Sequence, residues 1–572
     1  MAENRRKPIG VLLKEKGIIH DGHINLALQD QNITGDRLGE TLERLALVSP
    51  YDIATTIAEQ AQREVVDVGQ VVPEEASLRL FNMNLCRTNT FLPMRHDRQC
   101  IEVVTAADDT VELERLINRK TGLQSRIYQG EKPKILNAVQ HFFYFLEHPV
   151  EELLAREVKQ LEGDVDGVRS LDPLLNHLFQ LAVKLRSTDI HIRPLDRAIN
   201  IALRIDGVLR PVISLPLSLR RIISTIKMKA SMDIAEQRLP LDGSYSGTIL
   251  ENPYDFRVST TVTQYGENMV IRLLPMRSDL MGLSQLGFAA EDIETIHQIF
   301  SSPYGIALLT GPTGSGKSTT LYAAVRALNL TELNVMTVEN PIEYRLPLAR
   351  QTEVNIRAGY TFANAIRFFL RHDPDVILVG EIRDEETAKT ALSASETGHM
   401  VLSTLHTNTA FGAIPRLRAL GAEPYMLGES IVGIVSQRLA RRLCHQCRQA
   451  YTATAEDLHY LKLETPAVEV GDSVGEKGEV VATDAASSPP LTLYRAKGCD
   501  TCAHTGYFGR MLVYEIVKQD REIATMLHND ASMEEMVASA KSRGFKDIFE
   551  CAREKVLAGS TSVEEMTRVI GY

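Results

Sequence analysis

Residues 311–319 read Gly311-Pro312-Thr313-Gly314-Ser315-Gly316-Lys317-Ser318-Thr319. Three glycines let the backbone curl so that its N–H groups converge on phosphate oxygens. Lys317 is spaced to reach the β- and γ-phosphates of a nucleoside triphosphate, and the Ser318 hydroxyl to bind Mg²⁺. The apolar run Ile306–Leu309 before the loop and the helical pattern after it supply the strand and helix that such a loop requires. Three further groups could act on the same phosphates. Glu381 ends the apolar run Val376–Val379 and is placed to support Mg²⁺ through water. Glu339 and Glu343 flank a proline turn in VMTVENPIEY, and either could polarise an attacking water as general base. His406 follows the apolar run that begins at Met400, where an imidazole could hydrogen-bond a γ-phosphate.

A second kind of chemistry is carried by four cysteines. Cys444 and Cys447 form one C-x₂-C pair, Cys499 and Cys502 another. Four thiolates in two such pairs suit a closed, tetrahedral, structural Zn²⁺ site. The long intervening segment is accounted for by residues 464–490, rich in Gly, Ser and Pro and poor in bulky apolar side chains, which read as an exposed, mobile insertion. Cys86, Cys100 and Cys551 are scattered and read as buried small hydrophobes or inert thiols.

These groups need elements to hold them. Each phosphate-directed residue follows a short, continuously apolar run, the pattern of parallel strands buried on both faces. The expectation is an α/β multidomain protein whose nucleotide domain spans 281–572, with the zinc module at about 441–510. Residues 171–280 alternate apolar and polar side chains in IHIRP, INIALRIDGVLR, YDFRVSTTV and MVIRLL, which predicts a sheet, with one helix over LRRIISTIKMKASMDIA. Residues 149–170 read as a connecting helix and flexible linker. Residues 67–148 read as a small α/β unit, with a strand and turn over 101–109 and a helix over 110–122 ended by glycine. Residues 1–66 hold an internal repeat: 9–31 aligns with 38–60, each copy a helix, a turn and a helix, and the pair reads as a docking domain.

The chain has 572 residues, too many for one core, and a net charge of −11. That charge argues against broad electrostatic capture of nucleic acid. No apolar stretch is long enough for a membrane span or a signal peptide, so a cytoplasmic location is expected.

Taken together, GPTGSGKSTTLYA, VENPIEY, RHDPDVILVGEIRDEETA and TGHMVLSTLHTN resemble, in order and spacing, the boxes of the type II secretion and type IV pilus assembly ATPases. The stretch 187–274 and the helical start resemble them too. The resemblance implies a RecA-like P-loop ATPase core, a preceding PAS-like α/β domain, a small N-terminal helical repeat with an α/β domain, and a zinc-binding insertion. It implies Glu343 as the water-activating carboxylate, Glu381 as the Mg²⁺ support and His406 as the γ-phosphate contact. It also implies that Arg238, Arg257 and Arg272, from the preceding domain, reach the nucleotide as arginine fingers. The implied cofactors are ATP, Mg²⁺ and Zn²⁺. The implied assembly is a homo-hexamer, peripheral on the cytoplasmic face of the inner membrane. Its implied partners are a platform protein and the cytoplasmic domain of a membrane assembly protein.

Three positions depart from the family pattern. The usual E-D-P-I-E box reads Glu339-Asn340-Pro341-Ile342-Glu343, losing one charge. Thr409-Ala410 replaces the usual Asp-Ala after the histidine box. The opening repeat resembles the cyclic-di-GMP-binding helical domain of some pilus ATPases, but Pro8-Ile9-Gly10 stands where that domain favours Arg-Leu-Gly. The lost guanidinium favours protein docking over cyclic-di-GMP binding. Between the two systems, type II secretion is favoured. A nucleic-acid translocase on a RecA-like core and a non-hydrolysing regulatory nucleotide-binding module are the competing readings.

Overall fold

The computed structural model describes residues 7–163, 169–276, 281–463 and 491–571. The expected mobile insertion at 464–490 therefore lies outside the described residues, as do residues 164–168 of the 149–170 segment. The chain divides into two compact units: residues 1–19, 31–43 and 48–279 in one, and 20–30, 44–47 and 280–572 in the other.

Both copies of the N-terminal repeat form helix, turn, helix: Ile9–Glu15, Asp21–Thr34, Leu38–Arg44 and Pro50–Ala61. The last begins with a capping box, in which the Ser49 hydroxyl accepts the Asp52 N–H and the Asp52 carboxylate accepts the Ser49 N–H. Strands β1 (Phe91–His96), β2 (Cys100–Thr105) and β3 (Gln124–Gln129) follow, in the order β1-β2-β3. β2 and β3 are parallel and joined by the helix Val111–Thr121. That helix stops at Gly122, whose φ of +73° suits glycine best.

A six-stranded antiparallel sheet comes next: β4 (Ser187–Pro194), β5 (Ala198–Ile205), β6 (Val208–Pro216), β7 (Leu241–Ile249), β8 (Asn252–Thr263) and β9 (Gly266–Pro275). Its order is β6-β5-β4-β9-β8-β7. One face is apolar: Ile190, Ile192, Phe256, Val258, Met269 and Ile271 are buried in one core with Val150, Leu154, Leu175 and Leu178 of two preceding helices. The helix expected over 219–235 covers only Arg221–Lys229. Ser231, at φ +55°, turns the chain, and the Met232 N–H donates to Lys227 O, closing the helix end.

In the second unit, seven strands form one sheet. They are β10 (Gly305–Thr310), β11 (Val335–Glu339), β12 (Arg350–Glu353), β13 (Val376–Val379), β14 (Met400–Leu405), β15 (Ile431–Leu443) and β18 (Tyr507–Lys518). A separate hairpin pairs β16 (Gln449–Thr452) with β17 (Thr492–Arg495). The sheet order is β12-β11-β13-β14-β10-β15-β18. All neighbours are parallel except β15 and β18. Every residue of β10, β11, β13 and β14 is buried, because helices cover both faces. Parallel pairing puts the carboxyl ends of β10, β11, β13 and β14 on one edge, and the residues after those ends form the site.

Candidate active site

The loop after β10 is shaped by three glycines at positive φ: Gly311 (+142°), Gly314 (+77°) and Gly316 (+87°). A Cβ on Gly311 would lie 2.3 Å from Gln437 O, so only glycine fits against β15 there. Gln437 is fully buried on β15, and its side-chain amide donates to Ser315 O at 2.9 Å. The helix Lys317–Arg326 starts at Gly316 without a side-chain cap, leaving its first N–H groups available to an anion. The Ser315 hydroxyl is buried without a hydrogen-bond partner. A cradle admitting only backbone, an uncapped helix start and an orphaned hydroxyl all fit a bound triphosphate.

Lys317 is buried and folds back on the loop, donating to Gly311 O (2.8 Å) and Pro312 O (3.1 Å). Burial brings its ammonium down to about 8, against the opposing pull of Glu381 and Glu343.

Glu381 follows β13. Its carboxylate pairs with Arg383 (2.7 Å) and lies 3.6 Å from His406 Nε2. Side-chain rungs hold this pair in register: Ser403 donates to Val379 O (2.7 Å) and Thr404 to Gly380 O (2.8 Å). His406 is exposed beyond β14. Partial desolvation of its ring lowers its pKa, Lys317 adds to the effect, and Glu381 opposes it. Thr409 accepts the Gly412 N–H at 3.1 Å, so it closes the turn as an aspartate would.

Glu339 and Glu343 differ in burial. Glu339 is 5% exposed and accepts from Tyr322, Thr337 (2.7 Å) and Gln351 (3.2 Å). Burial pushes its carboxyl up, against those hydrogen bonds. Glu343 is exposed on the turn after β11. The backbone of that turn is fixed from β12, by Glu353 on the Ile342 N–H (3.1 Å) and by Gln351 on the Leu346 N–H (2.7 Å).

The three expected arginines lie in the other unit. Arg257 and Arg272 face each other across β8 and β9, and Arg272 in turn faces Asp189 on β4. Asp189 is buried and takes Arg272 at 2.9 Å and, more distantly, Arg204 at 3.8 Å. Arg204, Arg272 and Arg257 thus form one row on the sheet face opposite the core, with Asp189 among them. Arg238 sits apart from the row, in the turn before β7, its N–H donating to its neighbour Glu236. Asp189, Arg204, Gln351 and Gln437 escaped the sequence reading because isolated polar residues on strands carry no motif.

The cysteine quartet closes as its spacing predicts. Cys444 and Cys447 follow β15, Cys499 and Cys502 precede β18, and the β16–β17 hairpin lies between the pairs. All four sulfurs lie within 4.8 Å of one another. Three pairs are 3.8–3.9 Å apart. A tetrahedral Zn²⁺ with Zn–S of about 2.3 Å implies S···S of about 3.8 Å, so the donor set fits zinc. Burial opposes ionisation of Cys502, yet the N–H groups of Cys499 and Gly506, together with the Cys499 and Cys447 thiols, outweigh it and bring the thiol to about 7.

Among the described residues, no helix is long and apolar enough to cross a membrane. A family model described as "Type II/IV secretion system protein" matches residues 164–568, and one described as "MshEN domain" matches 61–148. The type II secretion system protein E of Pseudomonas aeruginosa is 42% identical over 72% of this chain and 77% of its own length. The type IV pilus assembly ATPase PilB of Thermus thermophilus is 35% identical over 93% of this chain. The matched region spans 59% of that relative's length. The ATPase DotB of Legionella pneumophila is similar in fold, with a TM-score of 0.50 at 20% identity over 70% of this chain and 96% of that one. With a family match across most of its length, and relatives this similar, the chain belongs to the type II/IV secretion system protein family.

Proposed function

We propose that this chain hydrolyses ATP to drive assembly of pilin-like subunits, for type II secretion or a type IV pilus. In this reading it works as a homo-hexamer on the cytoplasmic face of the inner membrane. It docks there on a platform protein and on the cytoplasmic domain of a membrane assembly protein. The observation that carries the catalytic part is Glu381 lying 3.6 Å from His406, at the same sheet edge from which the phosphate loop follows β10.

The loop N–H groups and Lys317 hold the β- and γ-phosphates. The Ser318 hydroxyl and Glu381, the latter through water, are the groups that would hold Mg²⁺, which neutralises charge on the phosphates. Glu343 takes the proton of the attacking water. His406, beside Glu381, contacts the γ-phosphate. Arg238, Arg257 and Arg272 stabilise charge developing on the transferred group. Zinc on Cys444, Cys447, Cys499 and Cys502 would cross-link the ends of β15 and β18 and carries no reaction step. Cyclic-di-GMP and nucleic acid have no part in this reading.

The test is ATP turnover by the assembled ring, with and without its platform protein. Stimulation by the platform and a loss of about 10²-fold or more in Glu343→Gln are expected. Wild-type turnover in Glu343→Gln would remove Glu343 from its role. Stimulation by nucleic acid at physiological salt, and not by the platform, would replace the whole reading with a translocase.

A further inference from the structure

Glu343 sits on a turn that has no regular secondary structure of its own, so something else must set its position. Four groups do so, and three belong to one buried cluster. Gln351 reaches the turn at two points: its carbonyl accepts the Leu346 N–H at 2.7 Å and its amide donates to Tyr344 O at 2.9 Å. These partners define which end of the amide is oxygen and which is nitrogen, since one is a donor and the other an acceptor. The same amide nitrogen donates to Glu339 at 3.2 Å. Glu339 also receives the Tyr322 hydroxyl. Outside the cluster, Glu353 accepts the Ile342 N–H at 3.1 Å. The residues on both sides of Glu343 are thereby tied to β11, β12 and the helix after the phosphate loop.

We propose that Gln351, oriented by Glu339 and Tyr322, is the positioning residue for the Glu343 carboxylate, and that Glu353 is its outer support. This inference rests on Glu343 acting as the base. A displacement of about 1 Å in a reacting group can cost on the order of 10²-fold in rate, so a clamp of this kind controls chemistry without touching nucleotide. It also gives the first glutamate of the box a role that its burial allows: Glu339 holds the clamp that holds Glu343.

The test uses the full-length ring and single-turnover ATP hydrolysis, with affinity for a fluorescent ATP analogue measured beside it. Gln351→Met, near in size and without the amide, is expected to slow hydrolysis by about 10-fold or more with analogue affinity unchanged. Exposed Glu353→Ala, which removes one support without disturbing the buried cluster, is expected to slow it about 3-fold, an order-of-magnitude figure for one lost hydrogen bond. Gln351→Met combined with Glu343→Gln is expected to be no slower than Glu343→Gln alone, because a misplaced base and an absent base fail alike. Additive losses in that double variant would overturn the proposal, as would weakened analogue affinity with an unchanged hydrolysis rate. If Gln351→Met fails to fold, the same two readouts on Glu353→Ala decide, with an unaltered rate counting against the clamp. Wild-type hydrolysis by Glu343→Gln would sink the reading of Glu343 as base, a result distinguishable from failure of the clamp alone.

Discussion

Glu381 and His406 lie 3.6 Å apart, carboxylate oxygen to Nε2, beyond the carboxyl ends of two adjacent parallel strands. Neither the 24 residues of chain between them nor either motif implies this closeness; the β13–β14 register does. In the proposed reading His406, beside Glu381, contacts a phosphate oxygen. His406→Ala should lower single-turnover hydrolysis by about 10²-fold while nucleotide affinity changes little, since the contact matters most as charge develops. A large loss of affinity with an unchanged rate would assign His406 to ground-state binding.

Gln437 predicts a different signature. It supports Ser315 O from β15 and makes no contact with the reacting groups. Gln437→Met should leave that carbonyl without its buried donor, costing about 1 kcal/mol. The expected result is nucleotide binding weakened several-fold, with little change in the rate at saturation. Equilibrium titration with a fluorescent nucleotide distinguishes this from a catalytic defect.

The cysteine quartet predicts metal content. Purified protein should carry about one Zn²⁺ per chain, and Cys502→Ser should lose it. Loss should raise protease sensitivity around the β16–β17 hairpin, because that hairpin is tethered through both cysteine pairs. Metal analysis and limited proteolysis check the two parts separately. Hydrolysis by the remaining ring is expected to fall less than in Glu343→Gln, since no reaction step passes through the metal.

Glu565 predicts a pH-dependent stability term. It is fully buried and joined to Arg441 and Arg568, each at 2.6 Å. Burial opposes its ionisation, but the two guanidinium groups outweigh it and lower its pKa. A depressed carboxylate pKa stabilises the fold above the unfolded value and loses that contribution as pH falls through the folded value. Glu565→Gln should therefore be destabilised by about 3 kcal/mol near neutral pH. The gap to wild type should narrow as the pH falls below about 4.3, the ordinary glutamate value, and close only below the lower folded value, where both forms carry a neutral side chain. Chemical unfolding of the two proteins across that range measures it.

Much of the local structure was legible in the chain. The apolar runs at 306–309, 376–379 and from 400 onward marked buried parallel strands because burial on both faces removes polar alternation. The glycine loop and the paired cysteines carried their chemistry in their spacing. The helix over 219–235 was read too long, since a left-handed turn at a serine leaves no mark in sequence. Long-range pairing was not legible at all. Sequence alone left Glu339 and Glu343 equal; the fold buried the first among Tyr322, Thr337 and Gln351 and exposed the second. Strand register alone set Asp189 among Arg204, Arg272 and Arg257, and seated Gln437 beneath the phosphate loop. Composition and periodicity report the environment of each residue along its own element. Which polar groups share an edge or a face depends on how separate strands are ordered and registered, and only tertiary packing decides that.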